Sequence, residues 1–203
     1  MMAQYALSEL SQSIARCTHC AERFRATETA HDPKPIFQVS ETARLCIAGQ
    51  APGLRAHNSG RPFTDPSGVR LREWLAIDEE TFYDPTKLLI APMAFCFPGY
   101  NKYKHDLPPP ADCARLWRRQ LFDAMPQVEL IVTVGKSAIG WHLPELRSKS
   151  LTEIVSGGIV SGRPAVLPLP HPSWRNNAWL KGNPWFETDI LPQLRSEVQR
   201  LIG

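Results

Sequence analysis

Four stretches of the chain are apolar at nearly every position, and turn residues interrupt or end each of them. Leu45-Cys46-Ile47-Ala48 stops at Gly49, Leu88 to Phe95 (LLIAPMAF) carries Pro92 near its end, Val128 to Val134 (VELIVTV) stops at Gly135, and Ala165 to Leu169 stops at Pro170. Short runs without polar alternation read as strands buried on both faces. Between them the apolar positions recur at helical spacing. Residues 3 to 16 carry Ala3, Leu7, Leu10 and Ile14, and Ser67 to Ala76 carries Val69, Leu71 and Leu75 with Trp74, followed by Ile77. A helix from about Ala111 to Ala124 has Leu116, Trp117, Gln120 and Leu121 on its inner stripe. A short helix spans Lys136 to Leu143, and a last helix runs from about Phe186 to Leu201. Alternating strand and helix predicts an α/β protein with a parallel sheet covered on both faces.

The polar stretches fill in the rest. From Gly49 to Pro66 the chain is dense in Gly, Pro and small polar residues. This predicts a loop of about eighteen residues, long enough to be functional in a compact domain. Residues 21 to 42, with Pro33 and Pro35, predict an irregular connection. Asp78-Glu79-Glu80 predicts a capped single turn up to Tyr83. Residues 150 to 163, with Gly157-Gly158 and Gly162, predict a hairpin-like region.

Composition narrows the class. With 203 residues, 43% hydrophobic and 21% charged, the chain is expected to form one globular domain over residues 1–203. A net charge of +3 permits a polyanionic partner without arguing for one. Nineteen prolines, many in the loops, stiffen those loops in advance. No apolar run is long enough to span a membrane, and no signal-peptide pattern is seen at the N-terminus. A cytoplasmic location is expected, where the five cysteines would not form disulfides.

Three strand ends carry candidate chemistry. After the first come Gly49-Gln50-Ala51-Pro52-Gly53 and then Gly60-Arg61-Pro62-Phe63. After the second come Cys96-Phe97-Pro98-Gly99-Tyr100-Asn101, and after the fourth His171-Pro172-Ser173-Trp174-Arg175-Asn176. In a parallel sheet these ends share one edge and can converge. Cys17 and Cys20 lie near the start, Cys96 and Cys113 after the second strand; by spacing alone they suit an iron–sulfur cluster or zinc equally. Cys46, inside a strand, reads as a small core residue.

GQAPG, GRPF thirteen residues from Gln50 to Phe63, and HPSxRN after a late strand together resemble the uracil-DNA glycosylase superfamily. The resemblance spans Cys17 to about Asn177. The GxAPG…GRPF pattern and the four cysteines are similar to the iron–sulfur families four and five, and HPS with Arg175-Asn176 leans toward family five. The resemblance implies a three-layer α/β/α fold with a central four-stranded, mostly parallel sheet. It implies hydrolysis of the N-glycosidic bond of uracil in DNA, leaving an abasic site. It also implies a structural 4Fe–4S cluster on Cys17, Cys20, Cys96 and Cys113, with zinc the alternative.

Glycosidic hydrolysis at a base asks for an extruded nucleotide, a donor to the departing base and a water held against the sugar. His171 is the candidate donor, and Phe63 the ring that stacks on the base. Gln50 and Ala51 are candidates to contact the base or the water. The resembled families often have a carboxylate at one of these two positions; here neither is acidic. Asn58 first, then His57, then Asp65 are the candidates to orient the water. Ser173 would grip a phosphate, and Trp174 and Arg175 would wedge or clamp beside the flipped base. Lys102, Lys104 and His105 form a basic loop, whereas Arg115, Arg118 and Arg119 read as one face of a helix.

Pro92 stands where family four has a base-reading asparagine, which predicts looser base selection than uracil alone. No lysine is placed as an obvious Schiff-base nucleophile, so strand cleavage is not expected. The expected protein is a monomeric repair glycosylase acting on single- or double-stranded DNA. Its rivals are a glycosylase mainly for hypoxanthine or xanthine, and an abasic-site or DNA-binding module with little turnover.

Overall fold

The computed structural model describes residues 6–203. The expected helix position Ala3 lies outside them. The elements are α1 (Leu7–Ala15), α2 (Ala21–Arg25), β1 (Leu45–Ala48), α3 (Leu54–Ser59), α4 (Pro66–Leu75), α5 (Glu79–Phe82) and β2 (Leu88–Ile90). There follow α6 (Ala111–Asp123), β3 (Leu130–Val134), α7 (Lys136–His142), α8 (Leu151–Ser156), β4 (Ala165–Leu169), α9 (Asn177–Gly182) and α10 (Leu191–Ile202). The strands form one sheet in the order β2-β1-β3-β4, parallel at every pairing. Isolated antiparallel bridges, Gln38 to Ile90 and Val160 to Val166, lie along its two outer strands.

The pleat divides the core in two. Leu45 and Ile47 point to one face, where they meet Leu71 and Leu75 of α4, Val155 of α8 and Leu194 and Val198 of α10. Cys46 and Ala48 point to the other, against Leu10 and Ile14 of α1, Ala114 and Leu121 of α6 and Ala138 of α7. Every residue of β1 is fully buried, which is why the strand carries no polar position. Helices on both faces of a parallel sheet make the three-layer α/β/α architecture. Because β1 pairs with β2 on one side and β3 on the other, the chain reverses its winding direction there, and the carboxyl edge opens into a crevice.

Several expected elements differ. The long loop after β1 holds α3, whose Leu54-Arg55-Ala56 favours helix once Gly53 has turned the chain. The second apolar run is a strand only to Ile90, because beyond it the backbone leaves β geometry while remaining buried. Residues 21 to 42 include α2. The expected hairpin-like region holds α8, which opens with a capping box: Ser150 Oγ accepts the Glu153 N–H, and the Glu153 carboxylate accepts the Ser150 N–H at 2.8 Å. The last helix begins with a π turn over Phe186–Ile190.

The inner stripe of α6 is Ala114, Arg118 and Leu121; of the expected stripe, Leu121 is buried and Trp117 packs against the core, whereas Leu116 and Gln120 face outward. Leu116 is exposed, and Gln120 bonds back to the Leu116 carbonyl. Arg118 is 0% exposed. Its Nη1 donates to the carbonyls of Ala91 and Pro92, both at 2.8 Å, and its Nη2 to His142 Nε2 at 2.6 Å. Burial, with the guanidinium beside it, pushes His142 down to about 3, so the imidazole is neutral and accepts. The guanidinium thus fastens α6 and α7 to the segment leaving β2.

Candidate active site

The carboxyl edge of the sheet opens into a cleft of about 790 Å³. Its walls come from the expected strand ends: Gly49 to Ala56 after β1, Phe63 and Asp65 to Ser67 entering α4, Pro92, Pro98, Tyr100, His105 and Asp106 after β2, and His171 to Arg175 after β4. Gln50, Ala51, Phe63, Asp65, His171, Ser173, Trp174 and Arg175 therefore share one cavity. Asn58 and His57 do not line it.

The loop after β1 is strapped down at its root. The Gly49 carbonyl accepts the Met93 N–H at 2.8 Å and the Gln50 carbonyl the Ala94 N–H at 3.0 Å, tying the loop to the segment that leaves β2. Phe63 has φ 54°, a left-handed conformation costly for a bulky residue. It persists because its carbonyl accepts from Tyr83 Oη at 3.3 Å and its ring packs edge-on to Phe82. Two glycines make room for it. A Cβ on Gly49 would lie 3.2 Å from the ring, and one on Gly68 1.8 Å from the Phe63 carbonyl oxygen. GRPF and PSG are thus one device that holds an aromatic face over the floor of the cleft.

Asp65 lines the cleft and also caps α4, its Oδ1 accepting the Gly68 N–H at 3.2 Å. Asn58 is exposed, and the His57 ring packs against the N-terminal segment. Lys34 Nζ donates to the carbonyls of His57 at 2.7 Å and Asn58 at 3.3 Å, a cation at a helix C-terminus. The His57 ring sits 4.9 Å from that of His31 and 5.9 Å from that of Phe97. Burial, then the neighbouring His31 and Lys34, push its pKa down, and its Nδ1 is buried without a partner.

His171 is half-buried at the end of β4, and neither ring nitrogen meets a hydrogen-bond partner among the described residues. Burial pushes its pKa down, against the upward pull of Asp65 and Asp106, which favours a neutral imidazole. Gly135, at φ +84°, lets β3 turn just beneath it; a Cβ there would stand 3.5 Å from the His171 Cβ. The motif's asparagine has a use the sequence did not reveal: Asn176 Nδ2 donates to the His171 carbonyl at 2.6 Å and fixes the loop. Arg70 of α4 adds a second tie, donating to Asn177 Oδ1 at 2.8 Å and the Ser173 carbonyl at 3.3 Å. Trp174 is 71% exposed at the rim, with the Arg175 guanidinium 5.3 Å from its ring.

Sequence reasoning passed over Asp106. It lines the cleft from the basic loop, and the packing around it pushes its pKa up. Its position in a lysine- and histidine-bearing segment gave no signal of this.

The four cysteines line a second, narrow pocket walled by Ile14, Phe24, Phe95, Pro110 and Trp117. The Phe95 N–H donates to Cys113 Sγ at 3.4 Å. Burial pushes the Cys96 thiol up to about 12 and Cys113 to about 11. Among the described residues no three His, Cys, Asp or Glu side chains stand close enough to hold a single metal ion. The fifth cysteine, Cys46, is buried in β1 with its pKa pushed up to about 12, an inert core position.

At the carboxyl edge of the parallel sheet the cleft thus gathers the Phe63 ring and a histidine whose ring nitrogens have no partner among the described residues. The chain belongs to the uracil-DNA glycosylase superfamily, whose family model matches residues 36–195. It is similar to the type-4 uracil-DNA glycosylase of Thermotoga maritima, 25% identical over 169 residues, 81% of this chain and 80% of that one. It also aligns with the solution NMR structure of a candidate uracil DNA glycosylase from Methanosarcina acetivorans, at 12% identity and a TM-score of 0.46, over 81% of this chain and 98% of that one. Family membership supports a DNA-repair glycosylase, a hydrolase whose partner is DNA. No helix among the described residues is long and apolar enough to cross a membrane.

Proposed function

We propose that the protein is a monofunctional glycosylase that removes uracil from DNA and leaves an abasic site, acting as a monomer in the cytoplasm. The observation that carries this is the convergence of Phe63, Gln50 and His171 from three separate segments on one cleft wide enough for an extruded base. Phe63 stacks on the base. Gln50 and the Ala51 backbone contact its edge. His171 donates to the base oxygen on which negative charge gathers as the glycosidic bond breaks, and does so as a neutral imidazole. Asp65 sets a negative charge facing a sugar that becomes cationic. Ser173 and nearby amides grip a phosphate, and Trp174 with Arg175 fills the gap that the flipped nucleotide leaves. Asn58 and His57 hold α3 against the N-terminal segment and take no direct part.

Pro92 lines the cleft and carries no side-chain hydrogen-bonding group; its carbonyl is already engaged by Arg118. A wall that cannot hydrogen-bond one base rejects others weakly. This favours a second reading, in which hypoxanthine or xanthine is also released. Oligonucleotides bearing uracil, hypoxanthine or xanthine, single- and double-stranded, test both. Free uracil under multiple turnover is expected, with slower release of the purines. Purine release without uracil would reverse the order, and tight binding to abasic DNA without any release would make the protein a binding module.

Cys17, Cys20, Cys96 and Cys113 would hold a 4Fe–4S cluster. The apolar pocket the four thiols share and the N–H donated to Cys113 would suit a thiolate-bound cluster. Its contribution would be structural, joining the end of α1 to the segment after β2 and to α6. Anaerobically purified protein should contain about four irons per chain, and Cys113→Ser should lose them and melt earlier. Stoichiometric zinc would replace the cluster with the alternative.

A further inference from the structure

We propose that Asp106 is a catalytic residue of the cleft, whose carboxylate holds the water that attacks the sugar; this rests on the glycosylase assignment. The loop that frames the base offers no acid at Gln50 or Ala51, and its one carboxylate, Asp65, already has an oxygen committed to capping α4. Asp106 reaches the same cavity from a different element, the hairpin after β2.

That hairpin is built to hold a fixed shape. Tyr100 and Asp106 face each other in an antiparallel bridge, and the Leu107 N–H donates to the Gly99 carbonyl at 2.9 Å. Asn101 organises the tip. Its N–H donates to the His105 carbonyl at 2.9 Å, and its Oδ1 accepts the N–H of Tyr103 at 2.9 Å and of His105 at 3.1 Å. Gly99, at φ +91°, starts the turn where any Cβ would run into Thr27. The Asp106 backbone is therefore positioned by main-chain bonds on both sides. Its carboxylate accepts no hydrogen bond from any described residue and is exposed to the water in the cleft. A side chain held in place at a cavity wall with its acceptors free is equipped to bind something other than protein.

The charges facing it suit a base. Arg175 and His171 approach from the segment after β4, Asp65 from the start of α4, and His105 and Tyr100 from its own hairpin. Burial by the surrounding protein raises its proton affinity, bringing it closer to that of a useful proton acceptor; Arg175 favours the carboxylate, and Asp65 adds to the rise. In the reaction the water donates one hydrogen bond to Asp106. The C1′–N bond breaks with its electron pair passing to the base, whose oxygen His171 stabilises. The water oxygen bonds to C1′ and its proton moves to the Asp106 carboxylate, then to solvent. The base takes up a proton from solvent and leaves neutral, so one water is consumed per bond broken.

The test is single-turnover uracil release with enzyme in excess. Asp106→Asn should lower the rate by about 100-fold or more, with DNA binding kept or tightened because a negative charge is gone. The wild-type rate should fall as pH drops through the raised pKa of Asp106, and this acidic limb should vanish in Asp106→Asn. Asp106→Glu should recover part of the rate. Because the carboxylate holds no structural bond, Asp106→Asn and Asp106→Ala should both melt with the wild type. A wild type that releases uracil, beside an Asp106→Asn variant within about threefold of it, would overturn the assignment and leave the glycosylase intact. A wild type that releases no base from any substrate would overturn both.

Discussion

Replacing His171 with alanine should reduce uracil release about 100- to 1,000-fold in single turnover, the size expected when one donor to a developing oxyanion is removed. The imidazole sits in a frame that survives its loss. The His171 carbonyl is held by Asn176, Gly135 turns beneath it, and neither ring nitrogen bonds another described residue. His171→Ala should therefore melt within a few degrees of the wild type and still bind uracil-containing DNA. His171→Gln, which returns an N–H donor, should regain part of the loss. A His171→Ala rate near that of the wild type would move the donor to another residue of the cleft.

The second large effect is on stability. Arg118→Leu removes three bonds at once and leaves the carbonyls of Ala91 and Pro92 and the Nε2 of His142 without their donor. Buried acceptors orphaned in this way cost about 1–3 kcal/mol each, partly offset because a buried cation no longer has to be desolvated. A net loss on the order of 3 kcal/mol is expected, which for a chain of this size lowers the melting temperature by roughly 10 °C. Arg118→Lys should recover little, because an ammonium cannot present the planar fork that serves the two carbonyls and the imidazole together. Pro92 lines the cleft, so base release should fall as well. Unchanged melting would mean that the segment after β2 is held by its packing alone.

The strands were legible because burial on both faces forbids polar residues, and the apolar runs beginning at Leu45 and Ala165 match β1 and β4. The helix over 151–156 was harder. Gly157-Gly158 drew the region toward a turn, although Ser150 and Glu153 stand at capping-box spacing and were readable as such. In the six residues of α3, no side-chain cap marks the start and the apolar pattern is too short to separate helix from loop. Arg118 could not be found by pattern. An arginine on a helix is ordinarily solvated, and its buried partners are main-chain carbonyls twenty-six and twenty-seven residues away that leave no trace in residue type.

The cleft was legible to the extent that it is built from strand ends, whose convergence follows from parallel topology. Gln50, Phe63, His171 and the residues after it meet for that reason. Which way a helical loop residue turns does not follow from topology. Asn58 and His57 lie in the same loop as Phe63, yet neither lines the cleft: the His57 ring packs on His31, and the carbonyls of both accept from Lys34. Asp106 is the converse case: distant in sequence from the framing loop, it is brought to the cleft by a hairpin whose shape depends on Gly99 and the Asn101 side chain.

The most direct measurement is the release of base from a double-stranded oligonucleotide carrying a single uracil, with substrate in excess over the wild-type protein. Free uracil exceeding the enzyme, together with an intact backbone that breaks only on treatment with alkali, is the expected result. Retention of every uracil while the protein binds the same DNA would contradict the assignment of catalysis to this cleft.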